Sequence, residues 1–431
     1  MKPRVERVEA MRPAATPRRA TAARSILALA PCAFALLALP TVRGHAEEAR
    51  AWTDRIRISG SADLGFFGGG RQSVESDDGF DVWDTRLFVD ADLGEDVELG
   101  GRPMLRNLGF TFEWNIARLG TRTTDVGLAY LDLEGLGRSP WLNLRVGRFQ
   151  VPFGEAYKLY SKGYAGRSFV TQPVGGPWWW DEGILLHGTA PSDRFGYVAS
   201  LTNGDTDFND VGGDYQLTAK LWAQPFAFLY VSASGLFTSA LEQVDGALWL
   251  GEGWPRPFGS GTPLTAHFEG APVAADPDGL GHVWAVALDV VITPLDGVRI
   301  WLAGGRVDLP SQGASRYDRA LAYGLGEIVL GGQLVSPGLK PLFVGLRVDG
   351  VGTFDDGRGY LLDVRYTGDY GYDMVHLLAY TAVAGWRLGD YVTFRMEYSH
   401  RDVDLVRGAV PDLPGRTGNE DLYSVEFGLH F

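Results

Sequence analysis

The sequence predicts an all-β protein, a 16-strand antiparallel transmembrane β-barrel. Apolar and polar side chains alternate along most segments after residue 55, which is the period of a strand with one apolar and one wet face. No apolar run there reaches the roughly 18 residues that a membrane-spanning helix needs. Short and long connections also alternate, as they do in barrels of the bacterial outer membrane.

The first 46 residues predict a secretory signal peptide. Basic residues crowd the start, an apolar stretch follows at Ser25–Pro40, and Gly44–Ala46 supplies the small residues of a cleavage site. We expect residues 47–54 to form a short periplasmic segment and residues 55–431 to form the barrel domain.

Charge and cysteine content exclude several functional classes. The chain has 39 basic and 53 acidic residues, and residues 1–46 hold 8 and 2 of them. The mature chain therefore has 31 basic and 51 acidic residues, a net charge of −20, which disfavours nucleic-acid binding. The full chain has a single cysteine, Cys32, which is lost with the signal peptide. The mature chain therefore has no cysteine, and disulfides and thiolate metal sites are excluded.

Period-two alternation marks each predicted strand. At 107–116, Phe110, Phe112 and Trp114 share one face, and Thr111 and Glu113 share the other. The predicted strands are 55–67, 81–93, 107–117, 125–134, 141–151, 183–189, 194–202, 215–222, 228–238, 283–292, 298–307, 324–335, 341–351, 375–387, 391–402 and 421–431.

Connection lengths predict how the strands are arranged. Short turns fall at 190–193, 223–226, 293–297, 336–340 and 388–390. Long connections fall at 152–182, 203–214, 239–282, 308–323, 352–374 and 403–420. Short turns on one side and long loops on the other are typical of outer-membrane barrels. An even strand number returns both chain ends to the periplasmic side, and 16 strands leave a water-filled lumen.

The chain ends on Phe431, the last residue of an alternating strand. This resembles the C-terminal aromatic signal of bacterial outer-membrane proteins. The resemblance implies that the barrel-assembly machinery recognises the strand that ends in Phe431. We therefore expect the protein in the outer membrane of a Gram-negative bacterium, in contact with lipid and lipopolysaccharide.

Residues 144–205 carry an ordered set of short motifs. They include Gly147–Gly154 (GRFQVPFG), Arg167–Val170 (RSFV), Glu182–Gly188 (EGILLHG) and Phe195–Gly204 (FGYVASLTNG). This run resembles the phosphate-selective porin O and P family, and the strand number and the terminus fit that family over the whole mature chain.

The resemblance implies a homotrimeric porin whose third long loop folds into the lumen, passing small hydrophilic solutes and anions such as phosphate. That loop is 152–182 here, where Pro152 stops strand pairing and Gly154 lets the chain turn inward. Its basic residues, and those of the adjoining strands, would form the anion path: Lys158, Lys162, Arg167, Arg145, Arg148 and Arg194.

Strand parity, by which alternate side chains of a strand face the lumen and the lipid, adds wall residues to this path. It turns Arg145, Lys220, Arg299, Arg347 and Arg395 into the lumen. We expect the basic loop residues to lie opposite wall residues such as Arg145. In the alternative interpretation, these cations form ion pairs with neighbouring acidic residues and only stabilise the water-filled interior of the barrel.

Parity sends Arg148 to the lipid face, where a midplane charge costs roughly 2–4 kcal/mol. We therefore expect Arg148 near the rim or beside a bulge.

Other functions stay open as alternatives. The mature chain holds only four lysines, which keeps a general or cation-preferring diffusion porin as the second hypothesis. Trp178–Trp180 could guide sugar rings in a carbohydrate-type channel, or could pack the loop to the wall. The acidic stretch 203–210 predicts a solvated loop rather than a calcium site. No G-x-S-x-G motif occurs, and we expect neither catalysis nor a cofactor or metal.

Overall fold

The structure is a computed structural model, and the residues that it describes are 52–69, 79–99, 101–118, 125–156, 158, 167–171, 173, 180–203, 215–238, 248–249, 265–266, 284–309, 319–353, 372–407 and 420–431. The chain divides into two units, 1–43 and 44–431, and all of the described residues belong to the second. The predicted signal peptide lies outside the described residues. No helix among the described residues is long and apolar enough to cross a membrane.

The second unit is built from antiparallel strands. In chain order they are β1 (Ile56–Gly69), β2 (Gly79–Leu99), β3 (Arg102–Arg118), β4 (Asp125–Glu134), β5 (Asn143–Gln150), β6 (Trp180–Thr189), β7 (Phe195–Thr202), β8 (Gln216–Phe226), β9 (Leu229–Thr238), β10 (Leu248–Trp249), β11 (Thr265–Ala266), β12 (Trp284–Ile292), β13 (Val298–Leu309), β14 (Arg319–Gly331), β15 (Leu342–Thr353), β16 (Tyr372–Leu388), β17 (Val392–Arg407) and β18 (Glu420–His430). Short 3-10 turns at Trp52–Arg55, Leu136–Arg138, Gly332–Leu334 and Pro337–Leu339 accompany them.

Sixteen of these strands close into one barrel, and β1 pairs with β18. Neighbours in the barrel follow the chain order, except that β9 pairs directly with β12. The short pair β10 and β11 forms a separate sheet within the connection between β9 and β12. All sixteen predicted strands are confirmed.

Several strand ends differ from the prediction. β2 continues to Leu99, and β14 covers Arg319–Gly331 instead of 324–335. The predicted end of β14 is replaced by the 3-10 turn Gly332–Leu334, since Pro337 and the surrounding glycines favour a turn over continued pairing.

The two faces of the barrel wall have opposite polarity. On β8, Gln216, Thr218 and Lys220 are buried, whereas Leu217 and Leu221 point outward and are 46% and 66% exposed. The same holds on β15, where Arg347 and Asp349 are buried and Leu346 is exposed. An apolar outer belt suits lipid, and a polar inner face suits water and hydrogen-bonded side chains.

The two ends of the barrel differ as the sequence predicts. Connections such as 100–101, 293–297 and 389–391 are short, and Gly101, Gly297 and Gly389 take positive φ angles in them. The opposite end carries the long connections, among them 151–179 between β5 and β6.

The last residue completes the barrel at the short-turn end. The amide of Gly60 donates to the carbonyl of Phe431 at 2.9 Å, and the amide of Phe431 donates to that of Gly60 at 3.1 Å. The Phe431 ring lies over Gly60, where any added Cβ would collide with it.

Candidate functional site: the loop after β5 and the wall it contacts

The loop begins where β5 stops pairing. β5 ends at Gln150, and residues 151–156 are all buried. Gly154 has a φ of 67°, a left-handed conformation that residues with a Cβ adopt only at a cost. Pro152 follows the last paired residues of β5, and the left-handed conformation of Gly154 marks a turn of the backbone.

The first part of the loop contacts β8 and β9. The amide of Gly154 donates to Ser234 Oγ at 3.1 Å, and Lys220 Nζ donates to the carbonyl of Gly154 at 2.5 Å. Both side chains come from buried positions of the inner face. These two bonds fix the backbone of the loop at its sharpest turn.

Glu155 is the centre of this contact. Its Oε1 accepts hydrogen bonds from Tyr230 at 2.6 Å and from Ser232 at 3.0 Å, and it forms an ion pair with Lys220. Lys158 Nζ lies 3.2 Å from Glu155 Oε2 and 3.0 Å from Tyr230 Oη. Burial acts to raise the pKa of Glu155, but Lys220 and Lys158 outweigh it and hold that pKa below its usual value.

A second contact joins the loop to β1 and β18. Arg167 is fully buried, and its Nη2 lies 3.3 Å from Asp63 Oδ2 and 3.2 Å from Glu426 Oε2. Arg395 pairs with Glu426 as well, lies 3.5 Å from Asp63 Oδ1, and donates to the carbonyl of Arg167 at 3.2 Å. Two arginines and two carboxylates therefore form one compact cluster.

The third contact holds the loop against β15 and β17. Glu397 accepts hydrogen bonds from the amides of Val170 at 2.6 Å and Thr171 at 3.1 Å. Arg347 donates to the carbonyl of Thr171 at 2.8 Å and to its hydroxyl at 2.6 Å, and also to Asp349 at 3.0 Å. Both backbone groups of Thr171 are therefore bonded to the wall.

The first and second contacts lie on opposite sides of the barrel. In the ring of sixteen strands, β9 stands eight positions from β1 in either direction, so the two strands face each other. The loop bonds to β9 through Gly154 and to β1 through Arg167. The described parts of the loop therefore contact both halves of the inner wall.

Charge compensation is the main electrostatic property of this region. Arg167, Arg395, Arg347 and Lys220 each contact at least one carboxylate. Paired charges have a short-range, dipolar field, so each contributes less to a distant ion than a lone cation would. The alternative interpretation of these residues, pairing with acids, holds for each of the four.

The remaining sequence-predicted residues lie elsewhere. Arg145 lies near the short-turn end of β5, pairs with Asp132 at 2.6 Å and covers the Tyr130 ring at 4.0 Å. The loop arginine Arg167 meets Asp63 and Glu426 rather than Arg145. Arg299 pairs with Glu327.

Arg194 is exposed in the short turn before β7 instead of on the strand, since β7 begins one residue later at Phe195. Lys162 lies outside the described residues.

Arg148 and Trp180 lie near the loop ends of β5 and β6. Arg148 lies two residues before the end of β5, and its Nη1 is 2.6 Å from Glu182 Oε1. Arg148 thus lies near the loop end of β5 and carries a paired charge. Trp180 is buried in a cluster with Phe149, Leu128 and other apolar side chains, so it packs the loop end to the wall. Trp178 and Trp179 lie outside the described residues, as does most of 203–210.

The partners of the basic residues could not be predicted from the sequence. Asp63, Glu397 and Glu426 occupy positions that strand parity assigns to the inner face, so the signal for their orientation was present. Nothing in the sequence indicates that these carboxylates contact Arg167 and Thr171, because alternation shows which face of a strand a residue lies on and not where the strand stands around the barrel.

Among the described residues, no group of three or more His, Cys, Asp and Glu could hold a metal ion.

Solved structures of bacterial outer-membrane proteins share this architecture. No family model matches the chain, and no curated protein matches it by sequence. The anion-selective porin from Comamonas acidovorans has 11% identity and a TM-score of 0.55, with 87% of this chain and 99% of that one covered. The outer membrane channel DcaP of Acinetobacter baumannii has 14% identity and a TM-score of 0.54, covering 87% and 97%.

OmpT of Vibrio cholerae in its trimer form is also similar, with 11% identity, a TM-score of 0.52, and coverage of 87% and 99%. At these identities the likeness concerns the fold. A closed barrel of this kind, with an apolar outer belt and a polar interior, is the architecture of bacterial outer-membrane proteins. The chain is therefore an outer-membrane β-barrel of the Gram-negative type.

Proposed function

We propose that the chain forms a water-filled channel for the passive diffusion of small hydrophilic solutes across the outer membrane. The observation that carries this proposal is the closed 16-strand barrel whose inner wall is polar and hydrogen-bonded to a loop from both sides. Barrels of this size enclose an aqueous lumen, and a loop across it sets the narrowest section. The proposed activity is passive, so it assigns no catalytic residue, metal or cofactor.

Planar-bilayer recording tests the channel. Purified protein should give stepwise conductance increases, and the folded form should migrate differently from boiled protein on a gel. Folded protein that yields no conductance steps in repeated insertions contradicts the proposal.

The finer proposal is a preference for anions, with phosphate among them. It is supported by the basic side chains of the inner wall and by the fold shared with an anion-selective porin. The competing proposal, general or cation-preferring diffusion, is favoured by the carboxylate partners of Arg167, Arg395 and Lys220.

Reversal potentials in a potassium chloride gradient separate the two. Changing Lys158, Lys162 and Arg167 together to Gln should lower the chloride-to-potassium permeability ratio if the loop charges govern passage. A wild-type pore that already prefers potassium rejects the anion preference, and so does an unchanged ratio.

We also propose a homotrimer embedded in lipid and lipopolysaccharide, and we propose that the barrel-assembly machinery recognises the C-terminal strand β18 together with Phe431. The trimer is supported by the fold that the chain shares with OmpT of Vibrio cholerae, whose structure is a trimer form. Light scattering of detergent-purified protein measures the mass of the assembly, and a monomeric mass contradicts the trimer.

A further inference from the structure

A cavity of about 750 Å³ lies at the short-turn end of the barrel, under the loop. Three short connections border it, 293–297, 332–341 and 389–391, and Ser168 of the loop lines it. Its size falls in the range of sites that enclose a small organic molecule.

The inner part of the cavity is cationic. Arg299 and Arg387 line it from the first residues of β13 and the last residues of β16. Arg387 Nη2 donates to Ser168 Oγ at 2.9 Å, which directs the guanidinium towards the loop. Arg299 pairs with Glu327, and the positive charges of Arg299 and Arg395 both act on Arg387.

The acids of the cavity stand at its edge. Asp296 and Asp390 belong to the exposed turns, where water and salt screen their charges. Lys340 is exposed at the same edge. Arg387 is partly shielded from water, so its charge acts more strongly on a molecule inside the cavity than the charges of the turns do.

One wall of the cavity is apolar and aromatic. Phe343 and Val329 line it and belong to a buried cluster with Phe169 and Val383. The Arg387 guanidinium lies 4.4 Å from the centre of the Phe343 ring. A cation beside an apolar surface matches a ligand that has an anionic group on an apolar body.

We propose that this cavity is a binding site for small organic anions that carry a carboxylate on an aromatic or apolar body. The carboxylate accepts hydrogen bonds from Arg387 and Arg299, and the apolar body packs on Phe343 and Val329. The proposal rests on the proposed channel in one respect, since the site would hold such solutes on the periplasmic side of the loop. An inorganic anion would use the arginines and leave the apolar wall uncovered.

Equilibrium binding to the folded protein tests the site without any conductance measurement. Benzoate is titrated into detergent-purified wild-type protein in a calorimeter, with benzyl alcohol and inorganic phosphate as comparison ligands. We expect saturable benzoate binding at one site per chain. Loss of one charge-assisted hydrogen bond should weaken it at least about tenfold in Arg387→Gln, and Arg387→Lys should recover part of the affinity.

Arg102→Gln serves as the matched control, because Arg102 is exposed at the short-turn end beside the connection 100–101, on the distant strand β3. Each variant is first checked for a folded barrel on an unboiled gel. Absent benzoate binding, equal affinity in wild-type protein and Arg387→Gln, or displacement of benzoate by an equal concentration of phosphate each overturns the proposal.

Bilayer recording then separates this inference from the proposed channel. Benzoate added on the periplasmic side should reduce the current through wild-type channels more than through Arg387→Gln channels. Conducting channels that benzoate leaves unaffected contradict the site and leave the channel standing. Benzoate binding in a protein that does not conduct supports the site and contradicts the channel.

Discussion

Thr171 Oγ1 donates a hydrogen bond of 2.5 Å to Glu397, a residue 226 positions later in the chain. The same carboxylate also accepts the amides of Val170 and Thr171, so it receives all three hydrogen bonds from two adjacent loop residues. A carboxylate that accepts several amides is a strong and directional anchor. Glu397 is therefore a main anchor of the loop on β17, next to Arg395, which donates to the carbonyl of Arg167.

Replacing Glu397 by Gln should loosen the loop. A neutral amide accepts more weakly than a carboxylate, and its NH₂ group cannot accept from the loop amides at all. We expect the free energy of unfolding to fall by about 1–3 kcal/mol and the single-channel conductance to rise. Asp402→Asn is the matched control, since Asp402 lies exposed on the same strand. A conductance equal to that of the wild type would show that the contact does not hold the loop in place.

Removing one charge from the cluster of Arg167, Asp63, Glu426 and Arg395 should change ion selectivity in a direction set by its sign. Arg167→Gln leaves two carboxylates facing one arginine, and Glu426→Gln leaves two arginines facing one carboxylate. A unit charge a few ångströms from an ion in water is worth about 1 kcal/mol, a several-fold effect. Reversal potentials should therefore shift towards potassium in the first variant and towards chloride in the second. Shifts of the same sign in both would refute the charge argument.

Gly154→Ala tests the turn at the start of the loop. A Cβ at this position would have its nearest contact at 3.8 Å, from Asp289, so space is available and the cost arises from the positive φ. Left-handed backbone costs other residues roughly 1–2 kcal/mol. Chemical unfolding should show a loss of that size, while Gly324→Ala, with open space and no positive φ, should stay near wild type.

Lys220 and Glu155 should show strong coupling. Lys220→Met leaves the carboxylate of Glu155 buried with a weaker set of partners, and breaking a buried pair in this way costs about 3–5 kcal/mol. The double variant Lys220→Met with Glu155→Gln removes both charges and should recover much of that loss. A double-mutant cycle measures the coupling, and additive effects of the two single changes would contradict it.

The fold could be predicted almost completely from alternation. Strands such as 125–134 keep their predicted bounds, because turn residues and polarity change together at their ends. β2 continues to Leu99 because backbone pairing persists where the sequence has no alternating pattern to mark it, whereas β14 stops early at Gly331, where a 3-10 turn begins.

The candidate site was predictable only in part. Parity gave the orientation of Lys220, Arg347 and Arg395, since a one-residue shift reverses the face. It gave no information on the partners, because Arg167 and Glu426 are 259 residues apart and meet only through the closure of the whole sheet. The cavity beside Arg387 was missed for the same reason, since three separate turns build it.

The cluster around Arg167 has a consequence for the biogenesis of the barrel. Asp63 belongs to the first strand and Glu426 to the last, and these two strands form the seam at which the sheet closes. A nascent sheet that lacks its final strand offers Arg167 only one of the two carboxylates. The anchoring of the loop through Arg167 and the sealing of the seam therefore stabilise each other, and a chain stalled before its last strand would lack part of the anchor that holds its loop.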